Sequence, residues 1–577
     1  MKKLLIFTVA LSASLLSHAD PIGSSKALQI AQRTLGQQVE QVALTDGPQR
    51  LRGVDGKQPA YYLFNATSGK GFAIVSGDDR FDALMAYSAD GHLNTEASLM
   101  PDALRLLLSS YSDAVEAVRE GRADAPEMNY ADPNPRIIVA PMVKCQWGQD
   151  TPYNNLTPVA SNGQHCVTGC TATAMSQIMY KWKWPERGMG TLTYNNGYTS
   201  DPVDFTQSVY QWDLMRDTYE PRDNGTPAGN AVAKLMADAG HAAHMMYTSS
   251  ASGTYVGSNY RAFVEHFRYK ASTADYVYRD CYSTQDEWNQ MLMRELRHGR
   301  PVLMGAQART GSGRDAAGHD FVLDGYDSNE YIHVNWGWDG VYDGYYAPQL
   351  MNNPQYEFSL KQGVAMGLEP DRTGTDNKFK GTKLTIYSAP TTTSTRVNAE
   401  KIFTIQVRDT IRNRRPWDFD GEIGIGLYDK EDNFIGNVAY NKRAYTLKSY
   451  YYNVQTIGIP CMFKKSAGLV PTKEGDYYLA IVFKDATTGN EIWQKPEFVR
   501  PEGRENRIWV YYHDGAFYFN QVSTGIGSVE SDGADVESTR YFDLSGRELK
   551  EPTTGQIYIQ RETLSNGRVR STKGIAR

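Results

Sequence analysis

Two short runs carry the residue types that could do covalent chemistry. Residues 169–175 read Gly-Cys-Thr-Ala-Thr-Ala-Met, and far downstream residues 318–322 read Gly-His-Asp-Phe-Val. A thiol becomes a nucleophile near neutral pH when a local field favours its thiolate and a base can hold its proton. A helix N-terminus supplies the first through its unpaired N–H groups and macrodipole, and a histidine distant in sequence can supply the second. After Cys170, the residues Ala172, Met175, Ile178, Met179 and Trp182 recur at helical spacing while Ala174 occupies another face. This predicts a helix buried nearly all round that stops before Pro185. The bland alternative is that Cys170 is an inert core cysteine, the commoner fate of a lone thiol.

The second run extends into a hairpin pattern. Phe321, Val322 and Leu323 precede the turn-like residues 324–329, and then come Tyr331, His333 and the run Asn335-Trp336-Gly337-Trp338-Asp339-Gly340. Two short apolar strands around a polar connection would bring His319 and Asn335 to adjacent strand positions. An amide oxygen beside the imidazole would fix its tautomer, and an indole would cover that bond from water. His333 alternates in phase with Asn335 and is a rival for the base, while the tryptophans also suit ordinary core packing.

Four motifs in order carry a family resemblance: Gln-Trp-Gly-Gln-Asp-Thr-Pro-Tyr-Asn at 146–154, Gly-Cys-Thr-Ala-Thr-Ala-Met-Ser-Gln-Ile-Met at 169–179, Gly-His-Asp-Phe-Val-Leu-Asp-Gly-Tyr at 318–326, and His-Val-Asn-Trp-Gly-Trp-Asp-Gly at 333–340. Over residues 20–370 the chain resembles the streptopain family of papain-like cysteine peptidases, in particular its interpain-like members. The resemblance implies Cys170 as nucleophile and His319 as general base and acid. It implies that Asn335 and Trp336 orient and shield the histidine, and that Gln149, with the Cys170 backbone N–H, binds the developing oxyanion. Gly318 and Ser252, the latter in a serine-rich loop one residue shorter than the family's, match substrate-contacting positions. Asp320 departs from the small apolar residue usual after the histidine; its charge would either raise the imidazole pKa or point away on the opposite strand face. The segment 301–307 also shifts a glutamine found nearby in the family.

Composition suits an exported hydrolase. Residues 1–19 have a basic start at Lys2 and Lys3, an apolar core and small residues at Ser17 and Ala19, the pattern of a cleavable signal peptide. No later apolar run would span a bilayer, so no integral membrane segment is expected. The balance of 60 basic against 66 acidic residues excludes a polycationic surface and argues against nucleic acid as partner. Five cysteines are too few and scattered for a disulfide framework. His165, Cys166 and Cys170 lack a second ligand pair at zinc spacing, so no metal site is expected, and the dyad needs no cofactor.

A chain of 577 residues should hold several domains. The expected fold class is α+β: a signal peptide at 1–19, an α+β propeptide at 20–134, a papain-like catalytic domain at 135–370, an immunoglobulin-like β-sandwich at 371–524, and a linker with a sorting-type tail at 525–577. The propeptide is expected from a helix at 24–35, strands at 60–64 and 71–75, and an amphipathic helix at 101–119, in an order resembling the family's inhibitory propeptide. Residues 125–136, rich in Pro, Asn and Asp, would be the linker where maturation occurs. Beyond 370, alternating segments at 383–387, 401–407, 422–428, 477–483 and 507–512 predict strands. These readings converge on a secreted or cell-surface cysteine endopeptidase made as a zymogen, with protein or peptide substrates and its own propeptide as intramolecular inhibitor. The competing readings are a catalytically silent papain-like binding or adhesion protein, and an acyl-transfer enzyme such as a transglutaminase.

Overall fold

The computed structural model describes residues 22–575 apart from internal stretches, the longest being 46–57, 124–133, 348–359, 448–456 and 520–535. The expected signal peptide and most of the expected maturation linker lie outside the described residues.

The N-terminal region opens with α1 (Ser24–Leu35), which buries Ala27 and Ala31 one turn apart and ends at Gly36, whose φ of 63° is a left-handed cap. An antiparallel meander follows: β1 (Val39–Val42), β2 (Tyr61–Ala66), β3 (Phe72–Ser76) and β4 (Leu84–Ser88). Strands β3 and β4 are buried along their whole length, so both faces of the meander are covered there. Helix α2 (Asp102–Arg119) contributes Leu104, Leu107, Leu108, Tyr111 and Val115 to a core shared with Met304, Phe321 and Trp336. The periodicity of 101–119 is thus satisfied by residues far away in sequence.

After the short β5 (Ile137–Val139) comes α3 (Cys170–Trp182), the helix expected from the cysteine run. Residues Thr171 to Met179 are all buried, and the helix closes at Lys183 in a left-handed conformation ahead of Pro185. A two-strand pair, β6 (Thr191–Leu192) and β7 (Val203–Asp204), leads to α4 (Pro227–Ala242), α5 (Ser258–Glu265), β8 (Asp275–Tyr278) and α6 (Gln285–Arg297). The long strands β9 (Val302–Arg309) and β10 (Asp315–Asp327) then form the centre of the sheet, with β11 (Ile332–Asn335), β12 (Gly344–Tyr346) and β13 (Leu360–Met366).

One eleven-stranded sheet runs β1-β2-β3-β4-β12-β11-β10-β9-β13-β8, with β5 paired to β10. Strands on both sides of the expected boundary at 134 therefore share a single sheet. The join is β4 with β12, where Tyr345 faces Tyr87 and Tyr346 faces Ala86. Alternation along β10 divides the side chains between two cores: Phe321 and Leu323 enter the core with α2, while Val322 enters the core of α3, α4 and α5. Strand β10 is where these two cores meet.

Beyond residue 370 the described structure is almost all β. The expected strands overlap Leu384–Ile386, Ile402–Val407, Phe419–Asp429, Gly475–Asp485 and Ile508–His513. A seven-stranded sheet and two smaller ones enclose a separate core that includes Ile405, Ile425, Leu427, Leu479, Ile481 and Phe517, which is the β-sandwich. Residues 536–575 add a four-stranded antiparallel sheet.

Candidate active site

Cys170 is the first residue of α3, and its preceding Gly169 has φ 85°, a value that favours glycine. A Cβ at Gly169 would lie 2.7 Å from the Met245 side chain and 3.0 Å from the Ser252 carbonyl oxygen, so the turn into the helix is also sterically restricted. The Cys170 N–H finds no backbone acceptor among the described residues, as expected at a helix start. Its Sγ accepts the backbone N–H of Asp320 at 3.3 Å. That bond brings the thiol beside the residue that follows His319.

His319 is buried on β10, and its Nε2 lies 3.0 Å from the backbone carbonyl oxygen of Trp336. A carbonyl can only accept, so Nε2 carries the hydrogen and Nδ1 is left as the basic nitrogen. No hydrogen bond joins His319 to Cys170 among the described residues. Burial lowers the imidazole pKa to about 4, partly opposed by the Trp336 carbonyl. Burial raises the Cys170 thiol to about 12, and the Asp320 charge adds to the rise. In this arrangement both groups are neutral at pH 7.

The hairpin register corrects one expectation. Asn335 pairs with Val322 rather than lying next to His319, and its carboxamide does not reach the imidazole. Instead its Oδ1 accepts from Gln177 Nε2 at 2.8 Å and from the Gly337 N–H at 3.1 Å, while its Nδ2 donates to the Cys145 carbonyl at 2.8 Å. Asn335 thus ties the cysteine helix, the tryptophan turn and the 145–149 segment together. Trp336 orients the histidine through its main chain. Its fully buried indole lies 4.8 Å from the Phe321 ring and 6.3 Å from His319.

Gln149 is half-buried, and its carbonyl accepts the Thr168 N–H at 3.1 Å, which holds it beside the entry to α3. Its carboxamide has no hydrogen bond among the described residues, so it stays available as a donor. Gly148 allows this segment to approach the tryptophan turn: a Cβ there would lie 2.5 Å from the Asp339 carboxylate. Gly318 is exposed on β10, where it pairs with Gln307. Ser252 is buried and turned inward; its hydroxyl donates to the Val167 carbonyl at 2.7 Å and accepts the Thr248 N–H at 3.0 Å. Any substrate contact at Ser252 therefore falls to its backbone.

His333, the rival base, is taken up elsewhere. Its Nδ1 lies 2.6 Å from the Asp324 carboxylate; burial opposes its charge, but that carboxylate prevails and its pKa is raised. Asp320 projects from the face opposite His319, its Oδ2 accepting from the Thr171 hydroxyl at 2.6 Å. Of the two expectations for this residue, the structure selects the one pointing away. The sequence reading missed Gln177 and Asp343. Gln177, the long amide side chain within the stretch expected to be buried nearly all round, was itself a signal. Asp343 accepts the Trp336 N–H at 2.8 Å, and nothing in local sequence marked it. No group of three or more His, Cys, Asp or Glu able to hold a metal occurs among the described residues.

Comparison with known proteins covers the same ground. Residues 147–346 match the peptidase C10 family, and residues 19–115 match the Spi protease inhibitor family. The thiol protease/hemagglutinin PrtT of Porphyromonas gingivalis is 30% identical over 379 residues, 61% of this chain, and the chain spans 42% of that relative's length. Streptopain of Streptococcus pyogenes is 31% identical over 315 residues, which is 50% of this chain and 74% of streptopain. Among solved structures, a prointerpain A fragment from Prevotella intermedia aligns over 58% of this chain and 99% of its own at 26% identity, with a TM-score of 0.47. Active interpain A aligns over 40% and 94% at 35% identity, with a TM-score of 0.36. On the extent of the streptopain match, the chain belongs to the peptidase C10 family of cysteine peptidases.

Proposed function

We propose that this chain is an exported cysteine endopeptidase made as a zymogen. The observation that carries the reading is the placement of the Cys170 sulfur at a helix start, held by the N–H of the residue after a histidine whose tautomer is set by the Trp336 carbonyl. In the mechanism, His319 Nδ1 takes the thiol proton and the Cys170 thiolate attacks the scissile carbonyl. The Cys170 N–H and the Gln149 carboxamide stabilise the oxyanion, a donor of this kind being worth about 100 to 1,000-fold in rate. His319 then protonates the leaving amine, and water, activated by the same imidazole, releases the acyl group. Exposed Gly318 and the backbone at Ser252 would flank the bound peptide.

The region 20–134 would act as the inhibitory propeptide, and 135–370 as the catalytic domain. The support is mechanical: β4 pairs with β12, the Tyr87 hydroxyl donates to the Asp327 carboxylate at 2.8 Å, and Tyr342 donates to the Asn94 carbonyl at 3.1 Å. Tyr346, in the paired strand, meets the Trp336 indole edge-on at 5.4 Å. The N-terminal strands thus bear on the turn that holds His319. Neutral thiol and neutral imidazole describe the latent form, and removing the N-terminal region would free that turn to bring the pair together. Export follows from the signal-peptide pattern at 1–19, and protein segments are the substrates.

Cys170→Ala tests this reading. The variant should fold, because a smaller side chain at the helix start leaves the α3 core unchanged, and should fail to cleave denatured casein. Cleavage at the wild-type rate would overturn it, and incorporation of amines in preference to hydrolysis would favour acyl transfer instead.

A further inference from the structure

Asp320 is an acid in a demanding place: one residue after His319, with its backbone N–H on the Cys170 sulfur. Its side chain shares a strand face with Val322 and points toward α3 and α5. Its Oδ2 accepts from Thr171 at 2.6 Å and from Asn259 Nδ2 at 3.4 Å. Its Oδ1 takes no hydrogen bond, and no Lys or Arg pairs with either oxygen, among the described residues. Asn259 is 2% exposed, and because its Nδ2 faces the carboxylate, its Oδ1 is directed elsewhere and has no partner. Gly305 across the sheet leaves room for the acid, since a Cβ there would lie 2.5 Å from Asp320 Oδ1.

A charged acceptor without a donor, Asp320 Oδ1, thus sits next to the nucleophile, on a carboxylate held by Thr171 and Asn259. The group that satisfies it is a donor-only cation. Its direction follows from the chemistry of the dyad: His319 must reach the leaving nitrogen, so the leaving side of the substrate lies on the histidine's face of β10. Asp320 projects from the other face, beyond Cys170, where the acyl side runs.

We propose that Asp320, held by Thr171 and Asn259, forms an acidic subsite beside Cys170 that takes a lysine or arginine side chain from the acyl side of the scissile bond. Asp320 Oδ1 receives the charged hydrogen bond, while Thr171 and Asn259 hold Oδ2. The subsite makes the enzyme selective for basic segments, and it rests on the peptidase reading given above.

The test is a set of peptide pairs cleaved by the enzyme matured from the full chain, identical except for Lys or Arg against Gln at the first, second or third acyl-side position. The wild type should favour the basic member by about tenfold or more in kcat/KM at one of these positions. Asp320→Asn, which is isosteric and keeps the Thr171 bond, should bring that ratio close to one, and Asp320→Glu should retain most of it. An equal rate on both members by the wild type, or an unchanged ratio in Asp320→Asn, would overturn the proposal. The wild-type ratio requires no variant, so a misfolded substitution does not shield the proposal. A wild type that cleaves no peptide of any pair fails the peptidase reading itself and removes the subsite with it, an outcome distinct from cleavage without basic preference.

Discussion

The imidazole of His319 donates from Nε2 to the main-chain carbonyl of Trp336 at 3.0 Å, a contact made by backbone rather than by a side-chain amide. The orientation of the catalytic base therefore depends on the path of the turn 336–340, which Asp343 and Asn335 hold. Asp343 accepts the Trp336 N–H, and Asn335 accepts the Gly337 N–H.

Removing the support of that turn should cost both stability and rate. Gln177→Leu leaves the Asn335 Oδ1 with the Gly337 N–H as its remaining donor in a fully buried setting, and losing one hydrogen bond of this kind costs about 0.5 to 1.5 kcal/mol. Urea unfolding of the Cys170→Ala and Cys170→Ala/Gln177→Leu proteins should differ by that amount. A loss below about 0.3 kcal/mol would mean that the bond does not hold the turn.

Latency should respond to a single hydroxyl. An isolated 20–134 fragment should inhibit the mature enzyme, and Tyr87→Phe in the fragment, which leaves Asp327 Oδ2 without that donor, should weaken inhibition by about tenfold. Precursor lacking only residues 1–19 should be much less active than protein beginning near 135, and a Cys170→Ala precursor should accumulate uncut. Equal activity of precursor and truncated protein would make the N-terminal region a folding or targeting domain.

The thiol of the precursor should titrate high. With the Cys170 pKa pushed up to about 12, the thiolate fraction below that pH grows tenfold per pH unit. Iodoacetamide modification of Cys170 in an uncut precursor should therefore be slow at pH 7 and climb with unit slope past pH 10. Asp320→Asn removes a negative charge beside the sulfur, so it should lower the thiol pKa and speed the reaction at every pH along that slope. A precursor that reacts rapidly and independently of pH between 7 and 9 would contradict the latent state described.

The approach of the 145–149 segment to the tryptophan turn should tolerate no added carbon. Gly148→Ala places a Cβ on the Asp339 carboxylate, and overpacking of this kind costs about 1 to 3 kcal/mol. Because the same shift moves Gln149, kcat should fall more than KM changes, as read from initial rates on a peptide substrate.

Much of this molecule was readable in the residues because local pattern and function coincide there. The α3 spacing, its stop before Pro185, and α1 at 24–35 follow from periodicity and helix-breaking residues alone. The strand alternation beyond 370 likewise matches the sheets. Asn335 departs from its expected place because an apolar–turn–apolar pattern leaves the hairpin register open: the pairing of Asn335 with Val322 puts its amide on Gln177 and Cys145, and only the sheet fixes that. The merging of the N-terminal meander into the catalytic sheet was also invisible, since β4 and β12 are distant in sequence and neither carries a mark of the other. Asp320 stood out as a departure, but its facing required the alternation of β10 to be anchored to two cores.

The most direct measurement is the site of covalent inactivation in the mature enzyme. A peptidyl epoxide should abolish hydrolysis of denatured casein in step with incorporation of one label, and peptide mapping should find that label on Cys170, with the buried thiols of Cys145, Cys166 and Cys461 unmodified. Label on those thiols in place of Cys170, or full labelling of Cys170 with casein hydrolysis retained, would contradict the account.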